Sequence, residues 1–177
     1  NVVNDSLLKG LNSVSGDTMF IQFNNDSISE MNINGGVIGS FYPDKKNKQL
    51  NHDISYNANI VYYNLTDEIT ILTDNAKIFY GETILEGGEI EANLKTNIVT
   101  SSIKQSVLPL VKTENEPPTY GDYMEFNLTT ETGNIRNGYN EIDMGIFRGD
   151  NFFTNKNEDV YIDNAMFTSC DNPIPHY

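Results

Sequence analysis

The chain has 177 residues, a formal net charge of −14 and one cysteine, Cys170. Its 25 acidic residues outnumber 11 basic ones, which disfavours nucleic acid and anionic membrane surfaces as partners because both need clustered lysine and arginine. The single cysteine excludes an internal disulfide framework, and no apolar run reaches the roughly 18 residues of a membrane-spanning helix.

Alternating apolar and polar residues predict β-strands along most of the chain, and helix signals are nearly absent. After an edge strand or frayed terminus at residues 1–12, strand patterns cover residues 54–62, 68–72, 76–80, 84–94, 124–128, 142–146 and 160–162. Strands recur about every 8–12 residues, a spacing typical of an all-β sandwich, barrel or roll.

Asparagine and glycine, which tolerate positive φ, predict tight turns between these strands. The predicted turns are Asn34-Gly35-Gly36, Asp67-Glu68, Gly87-Gly88, Thr132-Gly133-Asn134, Asn137-Gly138 and Asn155-Lys156-Asn157. A weak Asn-Ala repeat at Asn57-Ala58, Asn75-Ala76 and Asn164-Ala165 predicts strand beginnings in stacked two-strand rungs.

The segment from Ser101 to Tyr120 differs from its surroundings because it carries Pro109, Pro117 and Pro118. Proline cannot donate a hydrogen bond to a sheet, so the segment is predicted to be a loop or crossover. The strand pattern resumes unchanged after it. We therefore expect one domain over residues 1–177. We also expect the chain to be a piece of a longer secreted protein.

The inventory of reactive side chains disfavours catalysis. The two histidines, His52 and His176, do not lie at metal-ligand spacing with each other or with Cys170, and no nucleophile or phosphate-binding motif is present. Carboxylate pairs such as Glu89 and Glu91 are better explained as solvated charge. Residues 155–159 faintly resemble a calcium loop, but a hairpin turn explains them better. No enzyme activity, metal or cofactor is predicted.

The remaining feature is the apolar face of the strands. It is either an ordinary closed core or, if the sheet folds over without sealing, a trough for flexible acyl chains. Such chains bind through the removal of apolar area from water, at about 0.8 kcal/mol for each buried CH₂.

Several segments resemble a known family. His52 to Ala58, Asp74 to Glu82 and Ile90 to Ala92 resemble the OstA-like (organic solvent tolerance) repeat of lipopolysaccharide transport proteins. The later segments are similar to the end of the N-terminal periplasmic domain of the LptD family of outer-membrane lipopolysaccharide-assembly proteins. These are residues 133–136, 147–149, 160–162, 164–171 with Thr168-Ser169-Cys170, and 175–177.

The resemblance implies an elongated antiparallel β-jellyroll, or β-taco, of stacked V-shaped strands whose interior carries lipid A acyl chains toward the outer membrane. It implies a periplasmic location, end-to-end strand pairing with an upstream OstA-like bridge protein, and a C-terminal β-barrel of the same protein. It also implies a disulfide from Cys170 to that barrel. The expected groove residues are Tyr56, Ala58, Ile60, Tyr62, Ile69, Ile71, Ile78, Tyr80, Ile90, Ala92, Met124, Phe126, Leu128, Met144 and Ile146.

Two alternatives stay open at this point. A closed β-sandwich or β-helix from a carbohydrate-binding or polysaccharide-degrading surface protein would have a sealed core and exposed aromatic platforms. A structural adhesion module is the third possibility. The transport hypothesis depends on an interior that hydrocarbon can occupy, and a one-residue error in strand register would exchange the faces.

Overall fold

A computed structural model describes residues 10–44, 50–114, 116–142, 144–157 and 159–169. Fourteen β-strands form one antiparallel sheet in these ranges, which confirms the predicted all-β antiparallel fold. No helix in the described ranges is long and apolar enough to cross a membrane. The strands are β1 (Gly10–Ser15), β2 (Thr18–Asn24), β3 (Ser27–Pro43), β4 (Ile54–Asn64), β5 (Ile69–Tyr80), β6 (Thr83–Asn93), β7 (Ile98–Ser102), β8 (Leu110–Lys112), β9 (Thr119–Tyr120), β10 (Tyr123–Asn127), β11 (Thr132–Ile142), β12 (Gly145–Thr154), β13 (Val160–Asp163) and β14 (Met166–Thr168).

The sheet has two arms, which the long strands cross in turn. Arm A is the row β2, β3, β4, β5, β6, β7, β10, β11, β12 and β13; arm B is the row β1, β3, β4, β5, β6, β8, β9, β11, β12 and β14. The long strands β3 to β6, β11 and β12 belong to both rows because each pairs separately on either side of a bend. Each bent strand, or pair of short strands, therefore forms one rung of a stack.

Local backbone geometry produces the bends. The register between β3 and β4 shifts at Asn34/Val37, and that between β5 and β6 shifts at Thr73/Ala76. The extra residues at these bulges have positive φ: Gly35 and Gly36 on β3, and Asp74 and Asn75 on β5. Glycine, asparagine and aspartate adopt that conformation at the least cost, and a bulge bends its strand sharply.

One hydrogen bond shows how far a strand folds back. The hydroxyls of Tyr56 and Tyr63, both on β4 and 7 residues apart, are hydrogen-bonded to each other. Seven residues of extended strand span about 23 Å, which two tyrosine side chains cannot bridge. The two halves of β4 therefore face each other across the space between the arms, as in a V.

Glycines next to the bends allow neighbouring rungs to pack closely. A side chain at Gly16, Gly121, Gly138 or Gly149 would collide with Ile33, Ile135, Phe152 or Ile162, respectively, each on the next rung of arm A. The absence of a Cβ therefore lets large apolar side chains fill the inner corner of the V.

The structure corrects several predicted turns. Gly35-Gly36, Gly87-Gly88 and Asn137-Gly138 lie inside β3, β6 and β11, respectively, and mark bends rather than chain reversals. The Asn-Ala repeat marks the same bends: Asn75 lies within β5, and Asn164 lies between β13 and β14, both with positive φ. Conversely, residues 142–146 are not one strand. Ile142 ends β11, and Gly145 begins β12 after a tight hairpin.

The proline-containing segment 101–120 lies within the jellyroll. After β7, a short bridge between Lys104 and Val107 leads to β8, and β8 and β9 then pair in sequence within arm B. Pro109 is buried, while Pro117 and Pro118 lie between β8 and β9, where no ladder hydrogen bond is needed. The sheet is continuous through this region.

Candidate functional site

The most continuous feature between the arms is a row of side chains on the inner face of arm A. Consecutive members are cross-strand partners, so the row passes through every rung from β3 to β13. Its members are Ile33, Val61, Leu72, Ile90, Ser101, Met124, Ile135, Phe152 and Ile162. All but Ile162 are buried. Ser101 is satisfied because its hydroxyl donates to the Glu89 carbonyl at 2.8 Å.

Two further sets of side chains complete the interior. Nearer the free ends of the arm A strands lie Tyr63, Ala92, Val99 and Phe126. On the inner face of arm B lie Val14, Tyr56, Ile78, Leu85, Val111, Phe147 and Phe167. Apart from Phe167, all of these side chains belong to or pack against one apolar cluster. The middle rungs are therefore filled by the protein's own side chains.

The solvent exposure of the inner-face side chains rises toward both ends of the stack. Met19 and Ile21 on β2 pair with Ile33 and Met31, so they continue the inner face of arm A, yet they are 44% and 36% exposed. Phe167 on β14 continues the inner face of arm B and is 49% exposed. The apolar interior is therefore accessible to solvent at the first and last described rungs.

The structure brings most of the predicted groove residues together. Those on the inner faces or the adjoining turn are Tyr56, Ala58, Ile78, Tyr80, Ile90, Ala92, Met124, Phe126 and Leu128. Except for the half-buried Phe126, all of them are buried. They come from four rungs and the turn after β10, and period-two alternation accounts for the common direction of those on the strands.

The remaining predicted groove residues lie elsewhere. Ile60, Tyr62, Ile69 and Ile71 are on the outer face of arm A, Ile146 is on the outer face of arm B, and Met144 is a 73% exposed turn residue. On β4 the bend at Ala58–Asn59 adds one residue to the alternation. The next inward-facing residue after Ala58 is therefore Val61. On β5, Leu72 faces inward, which turns Ile69 and Ile71 outward.

Sequence reasoning did not assign several interior residues. Chief among these are Ile33, Val37, Val61, Leu72, Val99, Ile135 and Phe152. Leu72 and Val61 each adjoin an equally apolar residue, so alternation gave no reason to choose between them. The Asn-Gly pair at Asn137-Gly138, interpreted as a turn, concealed that Ile135 and residues 139–142 belong to one strand.

Tyrosines carry the polar contacts between the arms. Tyr56 meets Tyr63 near the centre, while the Tyr80 hydroxyl donates to the Leu128 carbonyl at 3.3 Å and its ring meets Phe126 at 6.4 Å. Burial raises the pKa of all three tyrosines. Neutral phenols are thus satisfied by each other, as in Tyr56 and Tyr63, or by main-chain groups, as in Tyr80.

The buried tyrosine pair makes stability pH-dependent at the alkaline side. The unfolded chain loses phenolic protons near pH 10, whereas folding holds the pKa of Tyr56 and Tyr63 higher. Stability is therefore complete below about pH 10 and falls above it, by about 1.4 kcal/mol per pH unit for each proton the folded state retains.

We expect the free energy of unfolding, measured by urea titration, to fall between about pH 9 and pH 11. The Tyr56→Phe/Tyr63→Phe variant should show a shallower fall. The other tyrosines are present in both proteins, so the difference between the two slopes gives the contribution of Tyr56 and Tyr63. Equal slopes would contradict a buried, neutral pair.

The outer faces are polar and partly aromatic. On arm A, Arg136 lies over the Tyr123 ring at 4.1 Å, the Tyr123 hydroxyl donates to Glu125 at 3.1 Å, and Phe153 and Tyr161 are 41% and 61% exposed. On arm B, a cleft of about 500 Å³ lies beside the Met144 hairpin. It is lined by Pro118, Tyr120, Glu141, Ile142, Met144, Gly145, Ile146 and Ser169.

The candidate metal and catalytic residues do not assemble in the described part of the chain. No group of three or more histidine, cysteine, aspartate or glutamate side chains there could hold a metal ion. The Asn155 side chain accepts hydrogen bonds from the amides of Asn157 and Asp159, as in a hairpin turn. His52 is exposed and meets the edge of the Tyr80 ring. Cys170 and His176 lie outside the described residues.

A comparison with solved structures supports this architecture. The chain aligns with LptH, described as the LptA-homologous periplasmic component of the lipopolysaccharide transport device from Pseudomonas aeruginosa, with a TM-score of 0.55 and 14% identity. The alignment covers 73% of this chain and 94% of LptH. The fold is the β-jellyroll of LptH. No protein-family model matches the chain. No curated protein matches it either.

Proposed function

We propose that this chain is a non-catalytic, periplasmic component of lipopolysaccharide transport. In this proposal the two arms hold lipid A acyl chains between them and pass them toward the outer membrane. The observation that carries the proposal is the continuous row through the rungs from β3 to β13, apolar at every position except Ser101, in a fold shared with a lipopolysaccharide transport component. Stacked rungs extend an apolar surface along one axis, as a long hydrocarbon ligand requires.

The proposed binding residues are the interior positions of the predicted set. These are Tyr56, Ala58, Ile78, Tyr80, Ile90, Ala92, Met124, Phe126 and Leu128. The charge distribution fits a ligand whose polar part stays outside, because the inner row of arm A carries no charged side chain and Ser101 is its one polar member. Acidic outer faces offer lipid phosphates little direct attraction, so the head group would remain in solvent or be bridged by divalent cations.

We further propose that the chain joins its neighbours by strand pairing. Within the described residues, β1 and β2 pair with β3 alone and β13 pairs with β12 alone, so these strands carry free backbone hydrogen-bonding groups at both ends of the stack. A free edge can accept a strand from another protein. An upstream OstA-like protein would pair at one end. The outer-membrane assembly role, the C-terminal β-barrel of the same protein and its disulfide with Cys170 complete this proposal.

Photo-crosslinking tests the acyl-chain proposal. With p-benzoylphenylalanine in place of Phe126, the purified protein is expected to capture intact lipopolysaccharide but not its deacylated polysaccharide. The matched control places the same group at Phe153, an aromatic residue on the outer face of arm A. Capture at Phe153 but not at Phe126 would contradict an interior site.

The exposed aromatics of arm A support a second candidate function, binding of carbohydrate. Phe153 and Tyr161 are cross-strand partners on an outer face that also carries Glu125 and Asn134. Aromatic rings beside hydrogen-bonding side chains can hold a sugar through its apolar face and its hydroxyls. Capture of deacylated polysaccharide by the Phe153 probe, together with binding on a glycan array, would favour this function.

A further inference from the structure

Two hydrogen bonds join the arms at the side opposite the bends, where the strands end in turns, and a third connects them within arm B. The Tyr80 hydroxyl donates to the Leu128 carbonyl at 3.3 Å and accepts from the Asn51 amide at 3.2 Å. The Asn51 side chain donates to Glu131 Oε1 at 3.0 Å. We name this set, Asn51, Tyr80, Leu128 and Glu131, the mouth latch.

The mouth latch lies directly over the apolar interior. Tyr80 and Leu128 are buried, and Tyr80 is the next residue after Ile78 on the inner face of β5. The Tyr80 ring also packs edge-on against Phe126 at 6.4 Å. At these rungs, a ligand approaching from this side therefore meets the latch before it reaches Ile78.

The other routes into the middle rungs are restricted. Each arm is a continuous hydrogen-bonded ladder, and the third side of the V is the chain itself, bending from one arm to the other. An acyl chain can thus reach the middle only along the axis from an end or sideways through the mouth. Sideways access suits an amphiphile, because its polar head can stay in water while its chain moves inward.

We propose that the mouth latch is a gate through which acyl chains reach the interior. This inference rests on the proposed function and adds the route of access. Opening the latch costs little free energy, because its hydrogen bonds are neutral or involve the exposed Asn51. Water can replace each of these hydrogen bonds when the arms separate. The main-chain ladders within each arm stay intact during such a movement.

A reversible bridge across the latch tests the gate. The variant Asn51→Cys/Glu131→Cys, in a Cys170→Ser background, is bridged with a short bis-maleimide that contains a reducible disulfide. The probe is cis-parinaric acid, an acyl chain with a carboxylate head whose fluorescence rises when it leaves water. Stopped-flow uptake is expected to slow about tenfold or more when the bridge is closed, and to recover when it is reduced.

The matched control is Asn64→Cys/Asp67→Cys in the same background. These side chains are hydrogen-bonded at 2.7 Å within one turn of arm A, so a bridge between them adds the same chemistry at the rim without joining the arms. Its uptake should not change on bridging. A second variant tests the latch in the opposite direction. Tyr80→Phe removes both hydroxyl contacts and should speed uptake about tenfold. Its control, Tyr139→Phe on the outer face of arm B, should leave the uptake rate unchanged.

The possible outcomes distinguish failure of the gate from failure of the proposed function. If the unbridged protein takes up parinaric acid and the bridge across the latch leaves the rate unchanged, chains use the ends of the stack and the gate is overturned. If the unbridged protein takes up neither parinaric acid nor lipid A, the proposed function fails and the gate fails with it. Slowing by the latch bridge alone, reversed on reduction, supports the gate.

Discussion

Replacement of Leu72 by lysine is expected to abolish cooperative folding, or to lower the free energy of unfolding by about 4 kcal/mol or more. Leu72 is 1% exposed and lies between its cross-strand partners Val61 and Ile90 in the middle of the inner row. A charged ammonium there has no partner and no water. The longer, differently shaped lysine side chain would also have to fit into a close-packed interior.

The neighbouring Ile71→Lys variant is the matched control. The Ile71 side chain points to the outer face of arm A, and its cross-strand partners are Tyr62 and the exposed Glu91. A lysine there can therefore reach water and a carboxylate. We expect a change within about 1 kcal/mol. Urea unfolding of both variants measures the difference. Similar losses from the two variants, or a greater loss from Ile71→Lys, would show that the faces of β5 are assigned incorrectly.

The fold was largely predictable because strand alternation is local. Residues 76–80, 90–92 and 124–128 lie on one side of any bend, so their inward positions follow from period two alone. The resemblance to the OstA-like repeat predicted the bent, stacked arrangement, which pattern reasoning by itself left open among sandwich, barrel and roll. The comparison with LptH supports the same architecture at the level of fold.

The bends limited what alternation could predict. Glycine and asparagine with positive φ serve both in tight hairpins and in bulges within a strand, so the sequence does not distinguish a reversal from a bend. Interpreting Asn137-Gly138 as a turn divided β11, whereas the tight hairpin at Met144 was interpreted as strand. Register errors at such points exchange faces, which is why Ile60 and Tyr62 were assigned to the interior.

The contacts that close the interior could not be predicted from local sequence. The Tyr80 hydroxyl reaches a carbonyl 48 residues away, and Asn51 reaches Glu131 across 80 residues. Their partners depend on how many rungs separate the strands and on how far the arms open. Whether an apolar interior is sealed or accessible therefore depends on tertiary geometry, while its apolar character is visible in the sequence.

Replacement of Gly138 by alanine is expected to lower the free energy of unfolding by about 2–3 kcal/mol. A Cβ built there would lie 2.5 Å from Phe152 Cδ2 and 2.7 Å from Cε2 of the same ring, which is buried. Gly138 does not have positive φ, so the cost arises from displacement of the ring. Gly36→Ala is the control that changes backbone strain without causing a collision, because Gly36 has a φ of 55° and open space around its Cβ position.

A double-mutant cycle identifies the collision as the cause. Phe152→Ala alone should cost about 3–5 kcal/mol, because it leaves a cavity at the inner corner of the V. In the Gly138→Ala/Phe152→Ala variant the new methyl group enters that cavity, so the combined loss should be smaller than the sum by about 1–2 kcal/mol. Gly36→Ala combined with Phe152→Ala should instead be additive. Additivity of Gly138→Ala with Phe152→Ala would contradict the close packing of rungs through the corner glycines, on which the filled inner corner depends.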